Sequence, residues 1–429
     1  MQARVSLPPP PLIIRYWCLF SGTEAAGREL LLVIITMDKQ RLLIAGVHPD
    51  TEAYPNIYHR VRALRQCDAF STETIHCQGW NSATQPRSGR ARLWRNFTSM
   101  LWAHASVLLR SLFRGRPDIT YIPYPAIGLL WLLSWFGKGW ARERIVADAF
   151  ISLYDTVVLD RELYAPNGVL ARLLYMIERR AFAFADLVVV DTVENADHLA
   201  GLFSLPRERF FACPLSTDEI NFQIQPYSVT ATSTPSTAMG ECRVLFIGTM
   251  IPLHGISTIV QAAKLLEDEP IQFCIVGDGQ EGELLSNVGQ NVAWLREWVD
   301  NERVAREIRD ADLCLGIFGA TDKADRVLPY KIYAYSVVGR AVITVASSCL
   351  RELTRELDYS PFYFVPAADP TALAEAIREL AASEELRRQY ASASARFYQE
   401  RLSSAALLNP LVQALRGGCA PGFLPQRRS

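Results

Sequence analysis

Four things are missing from this chain of 429 residues, and each closes off a class of protein. There is no C-x-x-C pair. The nine cysteines are scattered, and several lie in apolar runs (Cys274, Cys314), where a reduced cysteine is a small hydrophobe. Neither a zinc site nor a disulfide framework is expected, and a reducing, cytosolic compartment fits best. There is no cationic excess: the formal net charge is −1, so the footprint of a nucleic-acid binder is absent. No apolar stretch approaches the roughly 20 residues that cross a bilayer. Leu30–Thr36 and the core Ala126–Phe136 are both too short. Finally, no G-x-G-x-x-G follows an early strand, which argues against an NAD-linked dehydrogenase.

What is present is alternation. Half of the residues are hydrophobic, enough for two cores of ordinary size. From Arg243 to Thr344, short β-branched runs end at glycine and give way to helical spacing. Strands are predicted at Arg243–Gly248, Gln272–Val276, Ala311–Ile317 and Ala341–Thr344, with a helix over Ile256–Leu266. The first half repeats the pattern, with strands at Arg41–Ala45, Thr72–Cys77 and Asp118–Pro123. More strands are predicted up to Asp148, over Leu187–Asp191 and over Phe210–Pro214. Such alternation builds parallel sheets, which bind ligands at the carboxyl ends of their strands. Gly248, Gly255, Gly277, Gly279 and Gly339 fall at or near those ends. The expected organisation is α/β, with a poorly ordered extension over residues 1–36, one Rossmann-like domain over 37–225 and a charge-free linker over 226–240. A second Rossmann-like domain with closing helices occupies 241–415, before a tail over 416–429. The two domains are expected to face a cleft.

Two further groups of residues carry chemistry. Asp148 ends a strand, with Ser152, Tyr154 and Asp155 close behind; three polar groups so near a strand end suggest a site. Arg87, Arg90, Arg92 and Arg95 precede an apolar helix over Met100–Phe113. Trp131, Trp135 and Trp140, beside Lys138, Arg142 and Arg144, suit a helix lying at a membrane surface. A helix packed on the sheet fits the same tryptophans.

Four stretches together carry a family resemblance: ERRAFAFADLVVVDT, CPLSTDEINF, FCIVGDG and LPYKIYAYSVVGRAVIT. In this order they resemble the GT-B-fold, retaining glycosyltransferases of glycosyltransferase family 4, over roughly Arg41–Leu415. The resemblance implies a nucleotide-sugar donor as substrate, no cofactor and no metal. The acceptor would be a glycan or lipid-linked, and the setting cell-surface polysaccharide or glycolipid assembly at the inner face of a membrane, with peripheral membrane contact and no nucleic acid. Without a metal, the charge of the leaving diphosphate must be met by backbone N–H groups, helix N-termini and basic side chains. Gly248, Thr249, His254 and Gly255 would serve the phosphates, with Lys331 the first cation and Arg326 the next. Gly277, Asp278, Gly279 and Trp298 would meet base and ribose. Asp148 lies where such enzymes place an acceptor-domain histidine. The departing phosphate can itself take the acceptor's proton.

One departure stands out. The family pattern has two glutamates with seven residues between them; here Arg326 takes the first position and Ala334 the second. Asp325 or Asp322 would have to supply the acid, and Ala334→Glu is expected to tighten nucleotide binding. Two other readings follow: a catalytically silent GT-B protein that binds a nucleotide sugar or glycan, and a nucleotide-sugar 2-epimerase, which needs no acceptor.

Overall fold

In the computed structural model, the residues described are 39–418, other than 52–53, 78–89, 114–115, 137–143, 218, 223–240 and 298–299. The expected extension over 1–36 and the linker therefore lie outside them. Six strands of the first half form one parallel sheet: β1 (Gln40–Val47), β2 (Phe70–Cys77), β3 (Ile119–Ile122), β4 (Arg144–Asp148), β5 (Leu187–Val190) and β6 (Phe210–Ala212). Their order is β2-β1-β3-β4-β5-β6. Strands β3 and β5 are buried along their whole length, as strands covered by helices on both faces must be. The second sheet holds β7 (Cys242–Ile247), β8 (Ile271–Val276), β9 (Val292–Leu295), β10 (Leu313–Leu315), β11 (Ala341–Val345) and β12 (Tyr363–Val365). It runs β12-β11-β10-β7-β8-β9, again all parallel. The expected α/β class with two Rossmann-like sheets is what the chain builds.

Three elements were not legible. The short β9 presents only half-buried or exposed side chains, so it has no apolar run to read. The helix Asn301–Asp310 buries just Ala305 and Ile308 on an otherwise polar surface. Pro410 reads as a helix breaker, yet it lies inside the helix Ser404–Leu415, which Ser403 caps through the Ala406 N–H. The helix predicted from Met100 instead begins at Arg90.

The helix Ser404–Leu415 matters because it carries the chain back to the first half. Its Leu407 and Leu411 share one core with Ile57, Val61 and Leu64 of the helix Pro55–Gln66. Arg144 donates to the Ala414 carbonyl at 3.3 Å, and Arg416 to that of Ala69 at 2.7 Å. A second tie runs through the helix Tyr330–Val338, buried over most of its length. The Leu215 N–H, just past β6, donates to the Tyr333 hydroxyl at 3.0 Å. Two residues on, the Tyr335 hydroxyl accepts from the Ile247 N–H at the end of β7, also at 3.0 Å.

These hydroxyls satisfy backbone donors that water cannot reach. Tyr333→Phe keeps the ring and leaves the Leu215 N–H unpaired, so it is expected to lower stability by about 1–3 kcal/mol. Urea unfolding of the variant beside the parent measures this.

Candidate functional site

The carboxyl ends of β7 and β8 are bound to each other by their turns. The Gly248 N–H donates to the Val276 carbonyl at 3.0 Å, and the Met250 N–H to that of Asp278 at 3.2 Å. The return bond, Glu281 N–H to the Met250 carbonyl, is 2.8 Å. Gly277 has φ 120°, and a side chain there would run into the Gly248 carbonyl, so glycine is required. A third turn joins them. Gly255 has φ 67° and lies so close to Phe318 that a Cβ would stand 2.5 Å from its carbonyl carbon. Phe318 and Gly319 donate back to the His254 and Leu253 carbonyls at 3.1 and 3.2 Å. The helix Ile256–Leu265 then starts from Gly255 with no side-chain cap, which leaves the Ile256 and Ser257 N–H groups for water or an anion.

Lys331 points into this junction. It lies in the first turn of the helix Tyr330–Val338 and is 7 % exposed. Its Nζ has no hydrogen-bond partner and sits 3.8 Å from the centre of the Phe246 ring. A Cβ on Gly248 would come within 2.9 Å of that Nζ and 3.3 Å of the His254 ring, so the three predicted residues converge. Burial holds the Lys331 ammonium well below its ordinary value. His254 is likewise held low, by burial first and by Lys331 next. Its Nδ1–H donates to the Thr249 carbonyl, which fixes the neutral tautomer with the proton on Nδ1.

Arg326, the other cationic candidate, is engaged elsewhere. Its guanidinium donates to Asp155 of the first half at 3.0 Å and lies 3.5 Å from the Asn195 Oδ1. Lys323 reaches Asp155 and Asp160, both at 3.4 Å, and donates to the Thr156 hydroxyl at 2.8 Å. His198 completes the cluster at 2.9 Å from Asp155. Burial alone would raise the Asp155 carboxyl, but the His198 hydrogen bond and the Lys323 and Arg326 charges hold it well below the carboxylate range. Both cations come from the short helix Asp322–Arg326, so this cluster ties the two halves together.

The remaining candidates are dispersed. Asp148 is buried in an ion pair with Arg60 at 2.7 Å, and the Tyr121 hydroxyl donates to the same oxygen at 2.7 Å. Burial works against the Arg60 charge, yet Asp148 holds that guanidinium above its ordinary value. Arg60 also donates to the Cys213 and Pro214 carbonyls at 3.0 and 2.7 Å. Asp148 thus anchors the core of the first half, although its Oδ1 has no partner. Asp278 is held by Arg296 at 2.9 Å, and its other oxygen accepts from the Gly279 N–H at 2.8 Å. Asp325 accepts from the Ser348 N–H at 2.7 Å, at the start of the helix Ser348–Thr354. Ala334 is 3 % exposed and packed in the core with Leu328 and Val337. Trp298 lies outside the described residues. Two features were missed from sequence: the partner role of Arg60, and a crevice lined by Asp191, Glu194, Cys349 and Glu352, residues of both halves. Burial pushes the Asp191 carboxyl in that crevice up to about 6. Among the described residues, no group of three or more His, Cys, Asp or Glu side chains is arranged to hold a metal ion.

The arrangement has known counterparts. Its architecture is that of the GT-B glycosyltransferases. A crystal structure of Anabaena HepE in complex with UDP and glucose superposes with TM-score 0.59 at 13% identity, covering 88% of this chain and 100% of that one. Sucrose-phosphate synthase from Thermosynechococcus elongatus gives TM-score 0.64 at 14% identity, with 88% and 98% covered. A Rickettsia africae glycosyltransferase gives 0.59 at 11% identity, with 89% and 99% covered. In sequence, residues 241–383 match the family model described as Glycosyl transferases group 1. No curated protein matches the sequence.

The buried Lys331 leads to a stability prediction. Its ammonium titrates below 10.5 in the folded chain, so the unfolded chain binds more protons between the two values and stability rises with pH across that window. Lys331→Met removes an unpaired charge; it is expected to add about 1–3 kcal/mol at neutral pH and to flatten that rise. Thermal melts across a pH series check both. For Ala334→Glu the packing adds a stability cost that the sequence did not show. A carboxylate set among buried apolar side chains should cost about 3 kcal/mol or more, seen as a lowered urea midpoint.

Proposed function

We propose that this chain is a glycosyltransferase that moves a sugar from a nucleotide-activated donor to a glycan or lipid-linked acceptor. The transfer retains anomeric configuration, needs no metal, and serves cell-surface polysaccharide or glycolipid assembly. In this reading residues 37–225 form the acceptor domain and residues 241–415 the donor domain. The observation that carries it is the Lys331 ammonium, buried without a hydrogen bond beside Gly248, His254 and an uncapped helix start. An isolated buried charge is unfavourable unless a ligand of opposite sign completes it. A nucleoside diphosphate supplies two such charges, and its charge grows as the glycosidic bond breaks, when preorganised donors act most strongly.

The roles follow from position. Lys331 and the N–H groups at Ile256 would receive the diphosphate, with His254 beside them as a neutral donor or acceptor. Gly248 and Gly277 would let the phosphates approach the backbone, and the Asp278–Arg296 pair borders the turn on the base side. The released phosphate oxygen would take the proton of the attacking hydroxyl, so no protein base is assigned. HepE in complex with UDP and glucose supports uridine diphosphate sugars as the first donors to try.

Two observations favour a second reading, that of a nucleotide-sugar-binding protein without turnover. Ala334 stands in the core where the resemblance implies a glutamate, and Arg326 is tied to Asp155. Release of nucleoside diphosphate in the presence of acceptor separates the readings. An epimerase would release a free epimer without one.

Calorimetric titration with UDP, other nucleoside diphosphates and their sugars tests the site directly. The expected result is that one of them binds, and that Lys331→Met raises its Kd at least about tenfold, the equivalent of 1.4 kcal/mol. Binding should also take up protons, because an anion beside Lys331 restores the ammonium that burial disfavours. Equal affinity of parent and variant would overturn the Lys331 assignment.

A further inference from the structure

The first sheet is covered on one side by three adjacent helices whose outer surfaces are apolar. Arg90–Leu112, Ile127–Leu133 and Val169–Phe184 all bury side chains in one core, through Val107, Leu130 and Phe182 among others. The middle helix packs against both others. A water-facing helix normally turns charged side chains outward. Here the first helix exposes Trp102 and Leu109, and Phe113 follows just past its end; Trp102 and Phe113 are 74 % and 87 % accessible. The third exposes Val169, Leu173 and Met176, which fall on a single face at helical spacing. Between them stand Trp135 and Phe136, just past the end of the middle helix, 63 % and 54 % exposed. Trp131 is only half-buried and packs toward the core, and Trp140 lies outside the described residues. Of the three predicted tryptophans, Trp135 belongs to this wider face. An apolar surface of this extent marks a binding site.

Charge identifies the partner. From residue 74 to residue 142 the sequence holds nine arginines and lysines and a single acidic residue, Asp118, in a chain whose net charge is −1. On the three helices the sole carboxylate is Glu178, which is fully buried and accepts from the Ser152 hydroxyl at 3.0 Å and the Leu153 N–H at 2.7 Å. Arg110, Arg172 and Arg179 are exposed on the same helices. Arg180 lies 4.1 Å over the Trp135 ring and donates to the Ser134 hydroxyl at 2.8 Å and carbonyl at 3.0 Å, so the tryptophan is held at the surface beside a cation.

We infer that this three-helix face docks on an anionic lipid bilayer, with Trp102, Phe113 and Trp135 entering the headgroup boundary and the arginines meeting lipid phosphates. Indole and phenyl rings beside guanidinium groups suit that boundary. A second copy of the chain would oppose the same cations and be repelled. Among the described residues no helix is long and apolar enough to cross a membrane, so the contact is peripheral. The proposal stands on surface chemistry alone, and its failure would leave the nucleotide-site reading intact.

Vesicle sedimentation of the full chain tests it, with phosphatidylcholine vesicles containing or lacking phosphatidylglycerol, at low salt where attraction is least screened. The chain is expected to pellet with anionic vesicles alone, and added salt should release it. Trp102→Ser combined with Phe113→Ser should lower the partition coefficient at least about tenfold, given the apolar area removed from insertion. Both side chains are exposed, so melting temperature and nucleoside diphosphate affinity should stay at parent values. Two results would overturn the inference: a parent chain left in the supernatant with anionic vesicles at low salt, or a dimer in analytical ultracentrifugation that the same double substitution dissociates, which would assign the face to a second copy.

Discussion

An amino group shut away from water beside the Phe246 and His254 rings, without a hydrogen bond, is the constraint around which the second half is arranged. Lys331 can remain there because its helix is fixed on every side: Tyr333 and Tyr335 take backbone donors from the ends of β6 and β7, and Ile332 and Val337 lie in the core. Those contacts place the Nζ against Gly248, where any side chain would collide with it. The turns after β7 and β8 are then free to zip together with no side chain between them. Stability is given up at one atom, a cost that the proposed diphosphate would offset.

The same helix links the halves, and other contacts join them as well. The helix Ser404–Leu415 returns to the first core, and the ion cluster around Asp155 brings Lys323 and Arg326 across. These links differ in kind. The apolar return is insensitive to salt and pH, whereas the cluster depends on His198 and on charges that would be hydrated if the halves parted. The proposed transfer would require the chain to bring donor and acceptor together and then release products. A fixed hydrophobic tie at one place, with an ionic contact at another, suits that requirement.

Cations in this chain are therefore used in three ways. Arg60 is spent on structure, fully enclosed with Asp148 and two carbonyls. Arg326 and Lys323 join the halves. Lys331 alone of these four has no hydrogen bond, and it alone stands among glycine turns at a sheet's carboxyl edge. Arg60 and Lys331 are both buried and differ only in whether a carboxylate from a distant part of the chain arrives beside the charge, whereas Lys323 and Arg326 are partly exposed.

That difference marks the boundary between what sequence and tertiary structure decide. The alternation of apolar runs and helical spacing dictates two parallel sheets, because period and turn residues are local properties. Glycines at the ends of β7 and β8 were legible for the same reason, as was Lys331 through its place in LPYKIYAYSVVGR. The pairing of side chains was not. Arg326 and Asp155 are 171 positions apart and Arg60 and Asp148 are 88 apart, so no local pattern could show that these partners meet. Nor could it show that Ala334 faces the core, or that helices beginning at Arg90 and Val169 share an apolar outer surface with Trp135. Hydrophobic spacing says that a helix has an apolar face; only packing decides whether a sheet covers that face or leaves it exposed.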